Sequence, residues 1–266
     1  MKPLLPDTHL IQPDSTWHGV HFFCTTRAGG VGVAPYESFN LGMGAGEDPA
    51  VVRTNRQILQ TRLPSDPLWL KQVHGNVVVE ADADETRFRS MLIDPPAADA
   101  SVTTMPGRVL AILTADCLPV VMADDSGTVL GLAHAGWRGL AAGVLENTLA
   151  RMHWLQPNAQ GFRAWIGPGI GPTAFQVGED VREAFAGHGA DQPGAFVPDP
   201  CAPGKWLADL PRLAQWRLAR AGVDHVALSG LCTVTDPSQR FYSYRRDKIT
   251  GRMATLAWIG PKRQRA

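Results

Sequence analysis

The chain has 266 residues, of which 44% are hydrophobic and 19% charged, so we expect an ordinary globular protein with a single domain over residues 1–266. Its 25 basic and 25 acidic residues balance, which removes any general electrostatic case for a nucleic acid or an anionic membrane as partner. The most apolar run, residues 109–123, is too short to cross a bilayer and is interrupted by Asp116 and Pro119, so no membrane-spanning segment is predicted.

The first third of the chain contains the patterns of a strand, a loop and a helix. In order, they predict a strand at 18–27, a glycine-rich loop at 27–42 and an amphipathic helix at 51–63. Residues 69–72 and 77–80 then flank His74-Gly75-Asn76, which is hairpin-like turn chemistry. We therefore expect His74 at a turn, where its side chain can point into a cleft.

The middle of the chain is a series of strands followed by a helix. The predicted strands are residues 100–103, 109–114, 118–123 and 129–133. Their near-continuous apolar character indicates that both faces of the sheet are covered. After Gly136 the apolar residues take helical spacing through Met152. His134 is thus predicted to end a strand and Arg138 to begin a helix.

The last third mixes both element types. The patterns predict a strand at 164–166, a rigid Gly-Pro loop at 167–172, helices at 178–185 and 209–222 with Asp209 as a cap, and strands at 226–228, 241–244 and 253–259. Such interleaving indicates an α+β fold in which layered mixed sheets are flanked by helices.

Three metal-ligand residues fall at separate junctions between strand and loop. They are His74 in KQVHG, Cys117 in TADC and His134 in HAGWRG. Catalytic zinc commonly takes three protein ligands and leaves a fourth position for water or substrate, so two histidines and one thiolate fit an open zinc site. Zinc would lower the pKa of a bound water towards about 7, which makes that water a candidate nucleophile.

Two simpler interpretations compete with the metal site. A lone free cysteine is usually a small core residue, and Cys117 on its own would be interpreted that way. A histidine beside Cys117 could also lower the thiol pKa and create a covalent nucleophile without metal. That chemistry needs one histidine, so the second histidine favours the metal.

Several polar residues are candidates for holding a substrate. Arg138 combines a guanidinium with a helix start, which is suited to an anion and to phosphate in particular. Lys71 and Arg27 are weaker candidates for the same role. The amides of Asn40 and Gln72 could hydrogen-bond a base or a sugar, although turn stabilisation is the commoner role of such residues.

The cysteines indicate a compartment. Cys24, Cys117, Cys201 and Cys232 are widely separated, and residues 1–14 contain prolines and aspartates where a signal peptide needs an apolar stretch. We therefore expect free thiols and a reducing, cytoplasmic location. A monomer or a homodimer is expected.

Together the motifs resemble a known family. KQVHG, TADCLPVV, HAGWRGLAAGV, WIGPGIGP, FQVGEDV and CTVTDPSQRFYSYRRDKITGRM are similar to those of the YfiH-like family, also called laccase-domain or polyphenol oxidase family proteins. The motifs run over nearly the whole chain. The resemblance implies one αββα sandwich domain, with His74, Cys117 and His134 on the three metal-site positions.

The resemblance also implies an activity. It is purine nucleoside phosphorolysis, on adenosine, inosine, guanosine and methylthioadenosine, with adenosine deamination as a second reaction. The implied partners are thus purine nucleosides and phosphate, and the expected cofactor is Zn2+, with Cu2+ as the alternative. In phosphorolysis, the metal and Arg138 could hold phosphate. Asp116 is the first candidate for proton handling or for orienting a ligand histidine.

Three other functions stay open at this point. The family's older label suggests copper-dependent phenol oxidation, but multicopper oxidases need more histidines, usually in H-x-H pairs, and this sequence has no H-x-H. A hydrolase that edits peptidoglycan precursors would share the pocket. A non-enzymatic module with structural zinc would need a closed site.

Overall fold

Two β-sheets packed face to face form the centre of the computed structural model, which describes residues 5–189 and 191–261. The strands are β1 Leu10–Ile11, β2 Val20–Thr25, β3 Val78–Glu80, β4 Ala100–Thr103, β5 Leu110–Thr114, β6 Leu118–Asp124, β7 Leu130–Ala135, β8 Phe162–Ile166, β9 Gln176–Val177, β10 Phe196–Pro198, β11 Trp206–Ala208, β12 Val223–Leu228 and β13 Met253–Ile259. One sheet has the order β12-β8-β6-β7-β4-β3 and the other β1-β2-β13-β5, while β10-β11-β9 form a small third sheet.

The described residues form seven helices around the two large sheets. They are α1 Pro49–Gln60, α2 Glu85–Ile93, α3 Trp137–Ala141, α4 Val144–Leu155, α5 Glu179–Ala184, α6 Leu210–Arg220 and α7 Tyr244–Asp247. One apolar cluster joins α4 and α6 to the six-stranded sheet. A second joins α1 to the four-stranded sheet through Ile58, Leu59 and Leu256. The helix-sheet-sheet-helix layering confirms the predicted αββα sandwich.

A third apolar cluster fills the space between the sheets. Ile112 of β5, Val121 of β6 and Leu132 of β7 are all fully buried there. Every residue of β6 and β7 is buried, as the continuous apolar runs predicted. The central strands therefore form a rigid support for the residues at their ends.

Most of the predicted elements are confirmed, including both long helices with aspartate caps. The Asp48 and Asp209 side chains accept hydrogen bonds from backbone N–H groups in the first turns of α1 and α6. The predicted helix after Gly136 is present but divided, because Gly143 has φ +89° and ends α3 before α4 begins. α3 is therefore a single short turn of helix.

Two predictions were wrong, the hairpin around His74 and the strand at 241–244. Residues 69–72 do not pair with β3, because Lys71 makes only an isolated bridge to Ala97 while β3 pairs with β4 in parallel. Residues 241–244 form no strand. Phe241 and Tyr242 lie in an irregular segment that leads into α7, and the apolar pattern there reflects the burial of their aromatic side chains, not membership of a sheet. α2 and the small third sheet were not predicted.

In the part of the chain that the structure describes, no helix has the length and apolarity needed to span a membrane. The terminal KRQRA run, the one locally basic stretch of the sequence, lies outside the described residues.

Candidate metal centre and cleft

The three predicted metal ligands converge at one end of the central strands β6 and β7 of the six-stranded sheet. The donor atoms of His74, Cys117 and His134 all lie within 4.8 Å of one another. Cys117 directly precedes β6 and His134 belongs to β7, and these two strands pair so that Pro119 lies opposite His134. The sheet thus positions two of the three ligands through its own hydrogen bonds.

The third ligand comes from a loop that a buried carboxylate holds in place. His74 has φ +60°, a strained value for a residue with a side chain. The Asp99 carboxylate accepts hydrogen bonds from the backbone N–H groups of Val73 at 3.1 Å, His74 at 2.9 Å and Gly75 at 2.7 Å. These bonds compensate for the strain and fix the turn that carries the His74 imidazole.

Asp99 also fixes the orientation of His134. Its Oδ1 lies 2.8 Å from His134 Nδ1, and both side chains are almost completely buried. A carboxylate at this distance holds the imidazole proton on Nδ1 and leaves the lone pair of Nε2 for a metal. One carboxylate therefore organises two of the three ligands.

The residues of the cluster shift one another's pKa values. Burial opposes charge on Cys117, but His134 and His74 favour the thiolate more strongly and hold the pKa of Cys117 below the ordinary thiol value. Burial likewise opposes charge on His134, yet the Cys117 thiolate and Asp99 raise its pKa. Burial would raise the pKa of Asp99, but its bonds to His134 and to the backbone keep it lowered. The metal-free cluster is therefore a thiolate paired with a protonated imidazole, and a divalent metal of the zinc type would bind with loss of the His134 proton.

Two glycines allow the ligands to approach closely. A Cβ on Gly136 would lie 2.9 Å from Cys117 Sγ and 3.1 Å from His74 Cδ2. A Cβ on Gly139, in α3, would lie 2.6 Å from the carbonyl oxygen of Gly75. The glycines of the HAGWRG motif thus leave room for the cysteine and for the histidine loop.

The cluster opens into a cleft of about 900 Å³. His74 is exposed, Cys117 is half-buried and His134 is buried, so the opening lies on the His74 side. Six basic and two acidic residues line the cleft; they are Arg56, Lys71, Arg138, Arg245, Lys248, Arg252, Asp94 and Asp116. Its aromatic lining consists of Trp69, Trp137, Phe175 and Tyr244. The excess of positive charge suits an anionic ligand, and the aromatic faces suit a planar one.

Asp116 lies in the cleft beside Cys117 but does not contact the ligand histidines. Its Oδ1 accepts a hydrogen bond from the Thr233 hydroxyl at 2.6 Å and its Oδ2 accepts one from the backbone N–H of Arg245, also at 2.6 Å. The carboxylate that meets a ligand histidine is Asp99. Asp116 instead joins the turn before β6 to the start of α7.

Three further predicted residues also line the cleft. Lys71 and Arg138 have no ion-pair partner among the described residues, and Arg138 stacks on Trp137 with 4.3 Å to the ring centroid. Gln72 is less available, because its amide donates to the carbonyl oxygen of Leu113 and accepts from the N–H of the same residue, both at 2.8 Å.

The remaining two predicted residues lie outside the cleft lining. Asn40 is fully buried and hydrogen-bonds Glu47, Gly42 and the backbone of Arg252. Arg27 is bonded to Glu37. Asn40 takes the turn-stabilising role that amides in such segments commonly have, which also positions Arg252 in the cleft.

Three residues of the site were not predicted from the sequence: Asp99, Arg56 and Arg252. Asp99 lies between alanines directly before β4 and is fully buried. An acidic residue within an apolar stretch is expected to have a polar partner, and this pattern could have identified Asp99. The two arginines gave no local signal, because distant segments bring them into the cleft.

Comparison with known proteins supports the resemblance. A family model described as multi-copper polyphenol oxidoreductase laccase matches residues 21–260. A Pseudomonas aeruginosa protein named as a purine nucleoside phosphorylase is 48% identical over 235 residues, which cover 88% of this chain and 91% of the relative. The Escherichia coli protein named purine nucleoside phosphorylase YfiH is 44% identical over 243 residues, which cover 91% of this chain and 94% of the relative.

Solved structures match the fold over almost the whole chain. A Neisseria meningitidis protein of family DUF152 is 42% identical with a TM-score of 0.84, over 95% of this chain and 100% of that one. YlmD from Geobacillus stearothermophilus is 28% identical with a TM-score of 0.82, over 95% and 99%. The chain therefore belongs to the YfiH-like, or laccase-domain, family.

Proposed function

We propose that the protein is a metal-dependent purine nucleoside phosphorylase that acts on adenosine, inosine, guanosine and methylthioadenosine. The observation that carries the proposal is the cluster of His74, Cys117 and His134 at the end of a basic, aromatic-lined cleft. The names of the Pseudomonas aeruginosa and Escherichia coli relatives support the same activity. In the reaction, phosphate oxygen forms a bond to the anomeric carbon of the sugar while the bond to the purine nitrogen breaks.

We assign the metal to His74, Cys117 and His134, and we propose zinc, with copper as the alternative. When bound, the ion supplies positive charge and a free coordination position in the cleft. Asp99 serves as a positioning residue that fixes the His134 imidazole and the His74 turn.

The other side chains bind and orient the substrates. Lys71, Arg138 and Lys248 have no ion-pair partner among the described residues, so their charge is free to attract phosphate. We propose that Arg138, four residues after His134, holds phosphate close to the sugar. Trp69, Trp137 and Tyr244 offer faces on which a purine can stack. Asp116 positions the backbone of Arg245, and because each carboxylate oxygen can accept more than one hydrogen bond, it also stays our candidate for proton handling.

Adenosine deamination to inosine is the second reaction that we propose for this site. It requires water to reach the purine near the metal, and the exposed side of the cluster at His74 provides that access. Phenol oxidation is less well supported. The described residues contain a single three-ligand cluster of this kind, whereas multicopper oxidation needs several coordinated ions.

We also propose a cytoplasmic location. All four cysteines are free, as is typical of proteins in reducing compartments.

The test is incubation of protein of known metal content with a nucleoside panel, with and without phosphate, followed by chromatography. We expect free base only when phosphate is present, and inosine from adenosine without it. Oxygen consumption on a phenol, measured in parallel, should be absent. Full activity in His74→Ala or Cys117→Ala would refute the assignment.

A further inference from the structure

Two arginines on one side of the cleft are half-buried without an acidic partner. Arg56 of α1 and Arg252, just before β13, both line the cleft. Neither forms an ion pair with any carboxylate among the described residues, and burial lowers the pKa of both. Withdrawing charge from water is costly unless an opposite charge compensates for it. The two guanidinium groups therefore carry positive charge that no ion pair neutralises among the described residues, and an anionic ligand would neutralise it.

The Arg56 guanidinium is held rigidly with one edge free. It stacks on the Trp69 ring, 3.9 Å from its centroid, and its Nε and Nη2 donate to the carbonyl oxygen of Leu41 at 3.0 and 2.9 Å. Its Nη1 has no hydrogen-bond partner among the described residues. Such a fixed guanidinium loses little side-chain entropy when it binds an oxyanion.

Arg252 reaches the same side of the cleft from the other direction. Its Nη1 donates to the carbonyl oxygens of Thr250 and Gly251 at 2.9 Å, which leaves Nε and Nη2 without a partner in the described part of the chain. Its backbone is bonded to Asn40 and Leu41, and its Cγ packs where a side chain on Gly42 would lie. The segment from Asn40 to Gly42 thus joins the two arginines.

No carboxylate of the cleft forms an ion pair with these arginines among the described residues, although the effect of burial on the pKa of Arg252 is partly offset by the charges of Cys117 and Asp116. Asp116 is already bonded to Thr233 and Arg245, and Asp94 is an exposed residue at the end of α2. Glu47, the nearest acid along the loop, hydrogen-bonds the Asn40 amide.

We propose that Arg56 and Arg252 form a binding subsite for a phosphate-type oxyanion. A guanidinium group binds two oxygens of such an anion at once. Two sources share this chemistry: inorganic phosphate and the phosphoryl group of a phosphorylated nucleoside. A role in phosphorolysis rests on the proposed function, whereas oxyanion binding itself does not.

The test is equilibrium dialysis of the full-length, metal-quantified protein against labelled orthophosphate, with adenosine 5′-monophosphate and adenosine in parallel. The variants are Arg56→Met and Arg252→Met. Arg53→Met is the matched control, because Arg53 lies one turn earlier on α1, is exposed and does not line the cleft. Thermal melting and metal content show whether each variant is folded and loaded.

We expect the wild type and Arg53→Met to bind orthophosphate equally, and each cleft arginine variant to bind it about tenfold more weakly or worse. If orthophosphate binding does not depend on these arginines but the preference for adenosine 5′-monophosphate over adenosine does, the subsite takes a phosphorylated nucleoside. The proposal is overturned if folded, loaded arginine variants bind both anions like the wild type. Arginine-dependent anion binding without any phosphorolysis would keep the subsite and reject the proposed function instead.

Discussion

The Asp99 carboxylate lies 2.8 Å from Nδ1 of His134, in a region where neither side chain meets solvent. The same carboxylate accepts hydrogen bonds from three successive backbone N–H groups of the His74 turn. The two histidines therefore share one support, and a change at Asp99 disturbs both.

Asp99→Asn is expected to weaken metal binding about 10- to 100-fold, the usual effect of losing a carboxylate that orients a ligand histidine. Asparagine keeps the shape, but its NH2 group faces donors that need an acceptor. Chelator competition with metal analysis measures the effect. Asp94→Asn, at an exposed position in the same cleft, should bind metal like the wild type; equal affinity of both variants would contradict the role given to Asp99.

Gly136→Ala should displace the ligands without unfolding the sheet. The added methyl would lie 2.9 Å from Cys117 Sγ and 3.1 Å from His74 Cδ2, so the thiol or the imidazole must move. We expect metal content to fall to a small fraction of the wild-type value. Gly44→Ala is the matched control, because a Cβ there has no heavy atom within 4 Å. A fully loaded Gly136→Ala protein would show that the packing is looser than described.

Cys117 should react with iodoacetamide in metal-depleted protein at a pH where ordinary thiols react slowly. Its pKa is lowered, so the thiolate persists at lower pH and the alkylation rate falls only as the pH drops through that lowered value. Burial raises the pKa of Cys24 to about 12, so Cys24 should stay unmodified. Peptide mass mapping distinguishes the sites. Added zinc should protect Cys117 but not the exposed Cys201; equal protection of both would argue against coordination.

Asp124→Ala is expected to lower the free energy of unfolding by about 2–4 kcal/mol, because it removes a buried acceptor and leaves donors unsatisfied. Its oxygens accept from the backbone N–H of Thr128 and Val129 and from the Thr128 hydroxyl, within 2.6–2.9 Å, and so close the turn between β6 and β7. Urea unfolding measures the change. Ser126→Ala, at the exposed tip of that turn, should stay within about 0.5 kcal/mol of the wild type.

The layering of the fold was predictable because apolar patterning is a local property. Continuous apolar runs identified β5, β6 and β7, helical spacing identified α4, and cap and stop residues identified α6. The pairing of strands, in contrast, depends on residues far apart in the sequence. Residues 69–72 looked like the first arm of a hairpin, yet the partner of β3 is β4, whose Ala100 is 22 residues beyond Val78. Turn chemistry on its own could not reveal a parallel pair.

The site was predictable only where motif residues carried the chemistry themselves. The convergence of His74, Cys117 and His134 followed from three junctions between strand and loop. Asp99 acts through others and has no motif of its own. Asn40 was expected to contact substrate, but it is bonded within its own loop and to Arg252, a residue more than two hundred positions away. No sequence pattern encodes that contact.

The three candidate ligands are held in place by different parts of the fold, and this affects how a metal ion would bind and dissociate. Cys117 and His134 are anchored by paired central strands, whereas the His74 turn depends on side-chain bonds to Asp99. The two residues on the sheet would stay in place when an ion leaves, whereas the His74 turn can move on its own. We therefore expect the exchange rate of a bound ion to depend on how often this turn moves away, without any unfolding of the two sheets.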